Sequence, residues 1–294
     1  PTVPLATPAP RLRPPDMNQP VWRDQATSYN MAVLASGGAE VIGPAAGEQA
    51  CGVVGPGRME EPAAIAAAAA GLFVSGLRSG KRVVITAGPT REALDPVRYL
   101  SNHSSGKMGY ALAEAAIAAG AETTLVSGPV NLPPPEHARV KQVTSAVDML
   151  QACESLLPEC DVFIACAAVA DYQPANVQQQ KIKKGPEDVS LALVKTPDIV
   201  SAVAGSDFPV FTVGFAAETQ DVTAHAREKM QRKGLDMIVA NDVSDKTIGF
   251  NSDENEVTVL WAGEEQTLPR ASKSALARQL VDLIANALKS GSAD

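Results

Sequence analysis

Histidine is nearly missing from this chain, with three in 294 residues. His103 and His225 have no carboxylate or second histidine at metal or triad spacing, and His137 follows a proline run that reads as a surface loop. No histidine-based metal site or hydrolase triad is therefore expected. Cysteine is as scarce: Cys51, Cys153, Cys160 and Cys166 form no C-x-x-C pair, which argues against a disulfide scaffold or a zinc ribbon. Long apolar runs are missing too. The longest, near 63–74, is too short and too rich in alanine to span a bilayer. The proline-rich amino terminus lacks the apolar stretch of a signal peptide, so a soluble, cytoplasmic protein is expected. Positive charge is in deficit: the net charge is −8 and the pI is near 5.0. A general nucleic-acid binder is disfavoured, and any polyanion site must be a local basic cluster.

What is present is a regular alternation from residue 81 onward. Strand-like runs at 82–86, 122–127, 161–169, 210–215 and 236–240 alternate with helical patterns at 107–119, 145–157, 198–204 and 223–233. This predicts βαβ units: an α/β, Rossmann-like, mostly parallel sheet with helices on both faces. The runs 189–194 and 256–261 alternate polar and apolar residues, which predicts a small antiparallel pair or flap. An amphipathic helix over 271–288 closes the chain. Before residue 81 the texture changes. Prolines at 1, 4, 8, 10, 14, 15 and 20 predict an irregular N-terminal segment. A helical stretch at 23–34, a strand at 39–42 and an Ala-rich helix at 62–77 follow.

Ligands of open parallel sheets sit beyond the carboxyl ends of the strands. After the first strand comes Ser101-Asn102-His103-Ser104-Ser105-Gly106-Lys107, leading into a helix. Such a helix start either cradles an anion or is simply capped by Ser104 or Ser105. It is not a Walker A loop, since Ser101 stands where that spacing requires glycine, and no G-x-G-x-x-G follows the strand. Two lysine sets stand out: Lys181, Lys183 and Lys184, and Lys229 with Lys233 four residues apart on one helix. They suit a triphosphate or are a solvated loop and a solvated face. Asp171 suits a bridging divalent cation or a turn cap.

The motifs G-P-T-R-E-x-L-D-P-V-R-Y-L-S-N-H-S-S-G-K-M-G (88–109), A-A-V-A-D-Y (167–172), K-I-K-K (181–184), T-P-D-I-V (196–200), G-F-A-A-E-T (214–219) and A-N-D-V (240–243) together resemble phosphopantothenate–cysteine ligase, the synthetase half of a bifunctional coenzyme A biosynthesis protein. The resemblance implies CTP-dependent ligation of 4′-phosphopantothenate with L-cysteine through an acyl-cytidylate, with magnesium accompanying the triphosphate. It implies catalytic roles for Asn102 and Lys181. It assigns the CTP site to Ala165, Cys166, Ala167, Asp171, Lys181, Pro197, Asp198, Ile199, Val200, Phe215, Lys229 and Lys233, and the magnesium is expected on Asp171. It also implies a homodimer in which loops of a second copy complete the site.

Residues 1–61 resemble the end of the flavin-dependent decarboxylase half, with P-D-M-N (15–18), A-C-G (50–52) and G-P-G-R-M (55–59). That likeness gives Asn18 a substrate contact and Cys51 a proton-donor role. Asp16 departs from the family's alanine, and the flavin-binding part has no counterpart here. FMN is therefore not expected to bind, and Cys51 is expected to be an unreactive thiol. The expected organisation is a partial decarboxylase tail over 1–61, a helical linker over 62–80 and a ligase domain over 81–290.

Overall fold

The computed structural model describes residues 11–36, 39–48, 54–72, 80–184, 190–218, 221–242 and 252–290. The chain divides into two compact units, Pro1–Val74 and Ser75–Asp294. In the first, Arg11–Arg13 pairs in parallel with Ala39–Val41, and Ala45–Glu48 pairs antiparallel with Val54–Arg58. Helices span Gln19–Trp22, Gln25–Ser36 and Pro62–Leu72. The proline-rich segment thus holds two short elements where none was expected. Arg11–Arg13 lies between prolines, and Pro20 falls in the first turn of its helix, where a missing N–H costs nothing.

The second unit carries the alternation the sequence predicts. Its strands in chain order are β1 (Arg82–Ala87), β2 (Arg91–Ala93), β3 (Tyr99–Ser101), β4 (Glu122–Ser127), β5 (Arg139–Gln142), β6 (Val162–Ala165), β7 (Tyr172–Pro174), β8 (Leu193–Lys195), β9 (Phe211–Glu218), β10 (Met237–Asp242), β11 (Glu254–Trp261) and β12 (Glu264–Ser272). Its helices are α1 (Lys107–Ala118), α2 (Ala146–Glu154), α3 (Ile199–Ala204), α4 (Val222–Lys233) and α5 (Lys273–Ser290). Eight strands form one sheet in the order β12-β11-β10-β9-β6-β1-β4-β5. The six from β10 to β5 run parallel, and β11 and β12 extend the sheet antiparallel. Two small hairpins, β2–β3 and β7–β8, stand apart from it.

Period-two alternation sorts the core into two faces. Val83 and Ile85 of β1, with Ile164 of β6 and Val239 of β10, pack against Leu112 and Ala116 of α1 and Leu276 and Leu280 of α5. On the opposite face Val84, Val126 and Phe163 meet Met149 and Cys153 of α2 and Val203 of α3. Ile238 and Leu260 meet Ala226 of α4. The two alternating runs belong to different sheets rather than to one flap. β8 pairs with β7, whereas β11 is an inner strand of the main sheet with β12 at its edge. The closing helix begins two residues later than expected, because Ala271 and Ser272 still belong to β12.

Strand order reverses about β1: the chain passes to β4 on one side and later returns to β6 on the other. A crevice opens at the carboxyl ends of strands at such a switch point.

Candidate active site

A cleft of about 940 Å³ lies at that end of the sheet. Its walls come from the loops after β3, β6 and β8, from β9 and β10 themselves, and from α4 and the starts of α1, α3 and α5.

α1 begins at the mouth of the cleft, and its N-cap is Gly106, with φ 76° and no side-chain hydrogen bond capping it. Neither expected serine is the N-cap residue, and the Ser104 hydroxyl accepts from the Gly106 N–H at 3.3 Å, one residue short of the first turn. Lys107, Met108 and Gly109 line the cleft, so the positive end of the helix dipole opens into it. Gly109 also lets α1 sit directly on β1, since a Cβ there would lie 2.6 Å from the Ala87 Cβ.

The loop after β6 is fixed by hydroxyls. The run 161–169 reads as one strand, but ladder pairing to β1 stops at Thr86↔Ala165. Beyond it, the Ala167 N–H donates to Thr86 Oγ1 at 3.2 Å and the Ala170 N–H to the buried Thr90 Oγ1 at 3.0 Å. Asn102 donates from Nδ2 to the Val169 carbonyl at 2.9 Å. The amide that the resemblance makes catalytic is thus tied to the β6 loop while it lines the cleft. Ala165, Cys166, Ala167, Asp171, Pro197, Asp198, Ile199, Val200, Phe215, Lys229 and Lys233 line it as well.

Asp198 and Lys233 are not independent. Asp198 caps α3 by accepting from the Ser201 N–H at 3.1 Å, and Lys233 Nζ lies 2.9 Å from its Oδ2. Burial opposes ionisation of Asp198, yet Lys233 and the Ser201 N–H and hydroxyl hold its carboxyl below the usual range. Lys233 therefore already carries a counter-charge.

Lys181 stands elsewhere. It is exposed on the segment 175–184 and is not among the residues lining the cleft of its own chain. Its neighbour Ile182 is held instead by the β2–β3 hairpin, donating its N–H to Asp95 Oδ2 at 3.1 Å. Asn18 is exposed at the N-cap of Gln19–Trp22 in the first unit. Cys51 lies outside the described residues, as do Thr219 and Val243 of the quoted motifs.

Lys273 and Asn255 of the cleft escape the sequence reading, and Asn241 entered it only within the A-N-D-V motif. Lys273 opens α5 and is only 6% exposed; burial first, then Lys107 beside it, lowers its pKa. Asn241 and Asn255 are buried with side-chain carbonyl oxygens that have no hydrogen-bond partner. Their signal was position alone, a polar residue at a strand end beside the sheet's antiparallel extension.

Cys166 lines the cleft without being a nucleophile. Burial pushes its thiol up to about 12, with Lys273 opposing weakly, so it stays protonated near neutral pH. Cys166→Ser is expected to leave kcat within about threefold of the parent, measured as steady-state turnover.

Residues 78–288 match a protein family described as the DNA/pantothenate metabolism flavoprotein C-terminal domain. The coenzyme A biosynthesis bifunctional protein CoaBC of Vibrio vulnificus is 50% identical over 286 residues, covering 96% of this chain and 71% of that protein. The chain belongs to this family. The Escherichia coli CoaBC protein is 49% identical over 289 residues, again covering 96% of this chain and 71% of the relative. A crystal structure of the C-terminal domain of a CoaBC protein, 42% identical, superposes with a TM-score of 0.64 and covers 74% of this chain and all of that domain. The sheet with its helices on both faces is therefore the family's architecture. Among the described residues, no helix is long and apolar enough to cross a membrane.

Proposed function

We propose that this protein is the acid–amine ligase of coenzyme A biosynthesis, joining 4′-phosphopantothenate to L-cysteine at the expense of CTP. The observation that carries the reading is one cleft with cationic groups at separate places. The uncapped start of α1, with Lys107, faces it from one element, and Lys229 and Lys233 face it from another. Such a cleft suits two anions held end to end, a nucleoside triphosphate and a phosphorylated acid.

The chemistry asks for alignment and charge neutralisation rather than a protein nucleophile. The carboxylate oxygen of the acid bonds to the α-phosphorus as the bond to the pyrophosphate oxygen breaks. The amine of cysteine then bonds to the acyl carbon, loses a proton, and CMP departs. In this reading Asn102 donates to the acyl-cytidylate, and Lys181, supplied by a second copy of the chain, neutralises the phosphates during the first step. Among the described residues no three His, Cys, Asp or Glu side chains gather into a metal cage. Of the two exposed carboxylates in the cleft, Asp198 is paired with Lys233, and Asp171 fits magnesium, which binds through one or two carboxylates and substrate phosphates. When bound, that ion would supply charge neutralisation at the triphosphate.

A homodimer completes the reading. The two small hairpins and the segments beside them expose Val97, Tyr99, Tyr172, Val177, Leu191, Leu193 and Val194. So much apolar surface on one pair of hairpins suits an interface with a second copy, whose Lys181 segment would reach the cleft its own chain does not use.

The test is pyrophosphate release with CTP, 4′-phosphopantothenate and magnesium, followed by CMP release on adding cysteine. Release with ATP but not CTP would overturn the nucleotide, and tight NADPH binding without release would overturn the reaction class. Lys233→Met is expected to raise the KM for CTP about tenfold or more, because it removes a cation and leaves the Asp198 carboxylate uncompensated in the cleft. A KM within twofold of the parent would place the triphosphate elsewhere.

A further inference from the structure

Asp95, in the turn between β2 and β3, is 3% exposed and accepts hydrogen bonds from three residues. Oδ1 takes the N–H groups of Val97 at 2.8 Å and Arg98 at 2.9 Å, which closes the turn. Oδ2 takes the Arg98 guanidinium at 3.0 and 2.5 Å and the Ile182 N–H at 3.1 Å. The same guanidinium donates to the Ile182 carbonyl at 2.9 Å.

A turn needs only the first oxygen. The second oxygen and the guanidinium close on both backbone groups of one residue, 87 positions further along the chain. That residue lies in a segment without helix or strand, between Lys181 and Lys183. Among the described residues, the other backbone hydrogen bond made by residues 176–184 runs from the Gln178 N–H to the Leu94 carbonyl, on the same turn. The guanidinium of Arg98 beside Asp95 holds its carboxyl well below the usual carboxylate range, so the fork stays charged at any working pH.

We infer that Asp95 is a positioning residue for the ligation: with Arg98 it clamps the backbone of Ile182 and so fixes the base from which Lys181 reaches the phosphates. The inference rests on the proposed role of Lys181, although the clamp itself can be read without substrate.

Asp95→Asn keeps the size of the side chain and one acceptor for the turn. It sets an amide donor against the guanidinium and the Ile182 N–H, which are themselves donors. Amide exchange at Ile182 is expected to speed up about tenfold or more, with exchange in the main sheet unchanged. The rate of CTP- and phosphopantothenate-dependent pyrophosphate release is expected to fall about ten- to hundredfold. In a Lys181→Gln background the same substitution should add less than about twofold, because a clamp acting through Lys181 has nothing left to position. Equal losses in both backgrounds, or unchanged exchange at Ile182, would reduce Asp95 to a turn residue and overturn the inference. A fully active Lys181→Gln protein would overturn the role of Lys181 instead, while the exchange result would still report on the clamp. Should Asp95→Asn fold poorly, Ile182→Pro removes the N–H on the lysine segment and leaves the turn intact. The same loss, dependent on Lys181, is expected there, and parent-like release would count against the clamp.

Discussion

Mixing two inactive proteins is expected to restore turnover. Lys181→Gln should slow cytidylate formation about a hundred- to thousandfold, as loss of one preorganised electrostatic group does. Asn102→Asp places a negative charge beside the phosphoryl oxygens and should damage turnover more than CTP affinity. Asn102 lines the cleft of its own chain, whereas Lys181 does not. If Lys181 serves the cleft of a second copy, a mixed dimer has one site with both parent residues and one with neither. Half the dimers in an equal mixture are mixed, so about a quarter of parent pyrophosphate release should return after subunits exchange. No recovery, despite demonstrated exchange, would put both residues to work within one chain.

Gly109→Ala is expected to cost both stability and rate. The added methyl would lie 2.6 Å from the Ala87 Cβ and 3.2 Å from its Cα, both on the rigid end of β1. The start of α1 must retreat, and the first-turn N–H groups retreat with it. Overpacking of this kind destabilises by about 1–3 kcal/mol. A shift of about 1 Å in groups that align a reacting phosphate can cost about a hundredfold in kcat. Gly263→Ala is the control: its φ of 85° makes alanine strained, but no atom lies within 4 Å. It should cost about 1–2 kcal/mol with kcat unchanged. Parent-like kcat in Gly109→Ala would show that the mouth of α1 does not touch the reacting groups.

The inner parallel strands were legible, and β4 was read to the residue as 122–127, but the parallel edge strand β5, Arg-Val-Lys-Gln, was not read because it is short and mostly exposed. Nor was the other edge. β12 exposes every residue but Leu268 and Ala271, so it carries no apolar period, and its last two residues were read into the helix that follows. The β6 run looked continuous because apolar residues persist past Ala165, where the ladder gives way to hydroxyl contacts and one parallel bridge, Pro89↔Ala168. At the site, the resemblance named Asn102, Asp171, Phe215 and Lys229, and the fold brings these four to the lining of one cleft. Spacing could not show that Lys181 lies outside the lining of its own chain's cleft, because its segment is held by a hydrogen bond between Ile182 and a residue 87 positions earlier. Lys273 was missed for a similar reason: only the fold brings the start of the last helix beside Lys107.

The outermost strands of the main sheet govern how copies of the protein can meet at high concentration. β12 carries exposed Glu264, Glu265 and Arg270 around Pro269, and β5 at the far margin is four residues long with Arg139 and exposed Lys141. Charge, proline and brevity discourage one sheet from continuing into another. Fibrous growth by strand addition is thereby discouraged at both margins, so the pairing proposed through the small hairpins would end in a closed assembly.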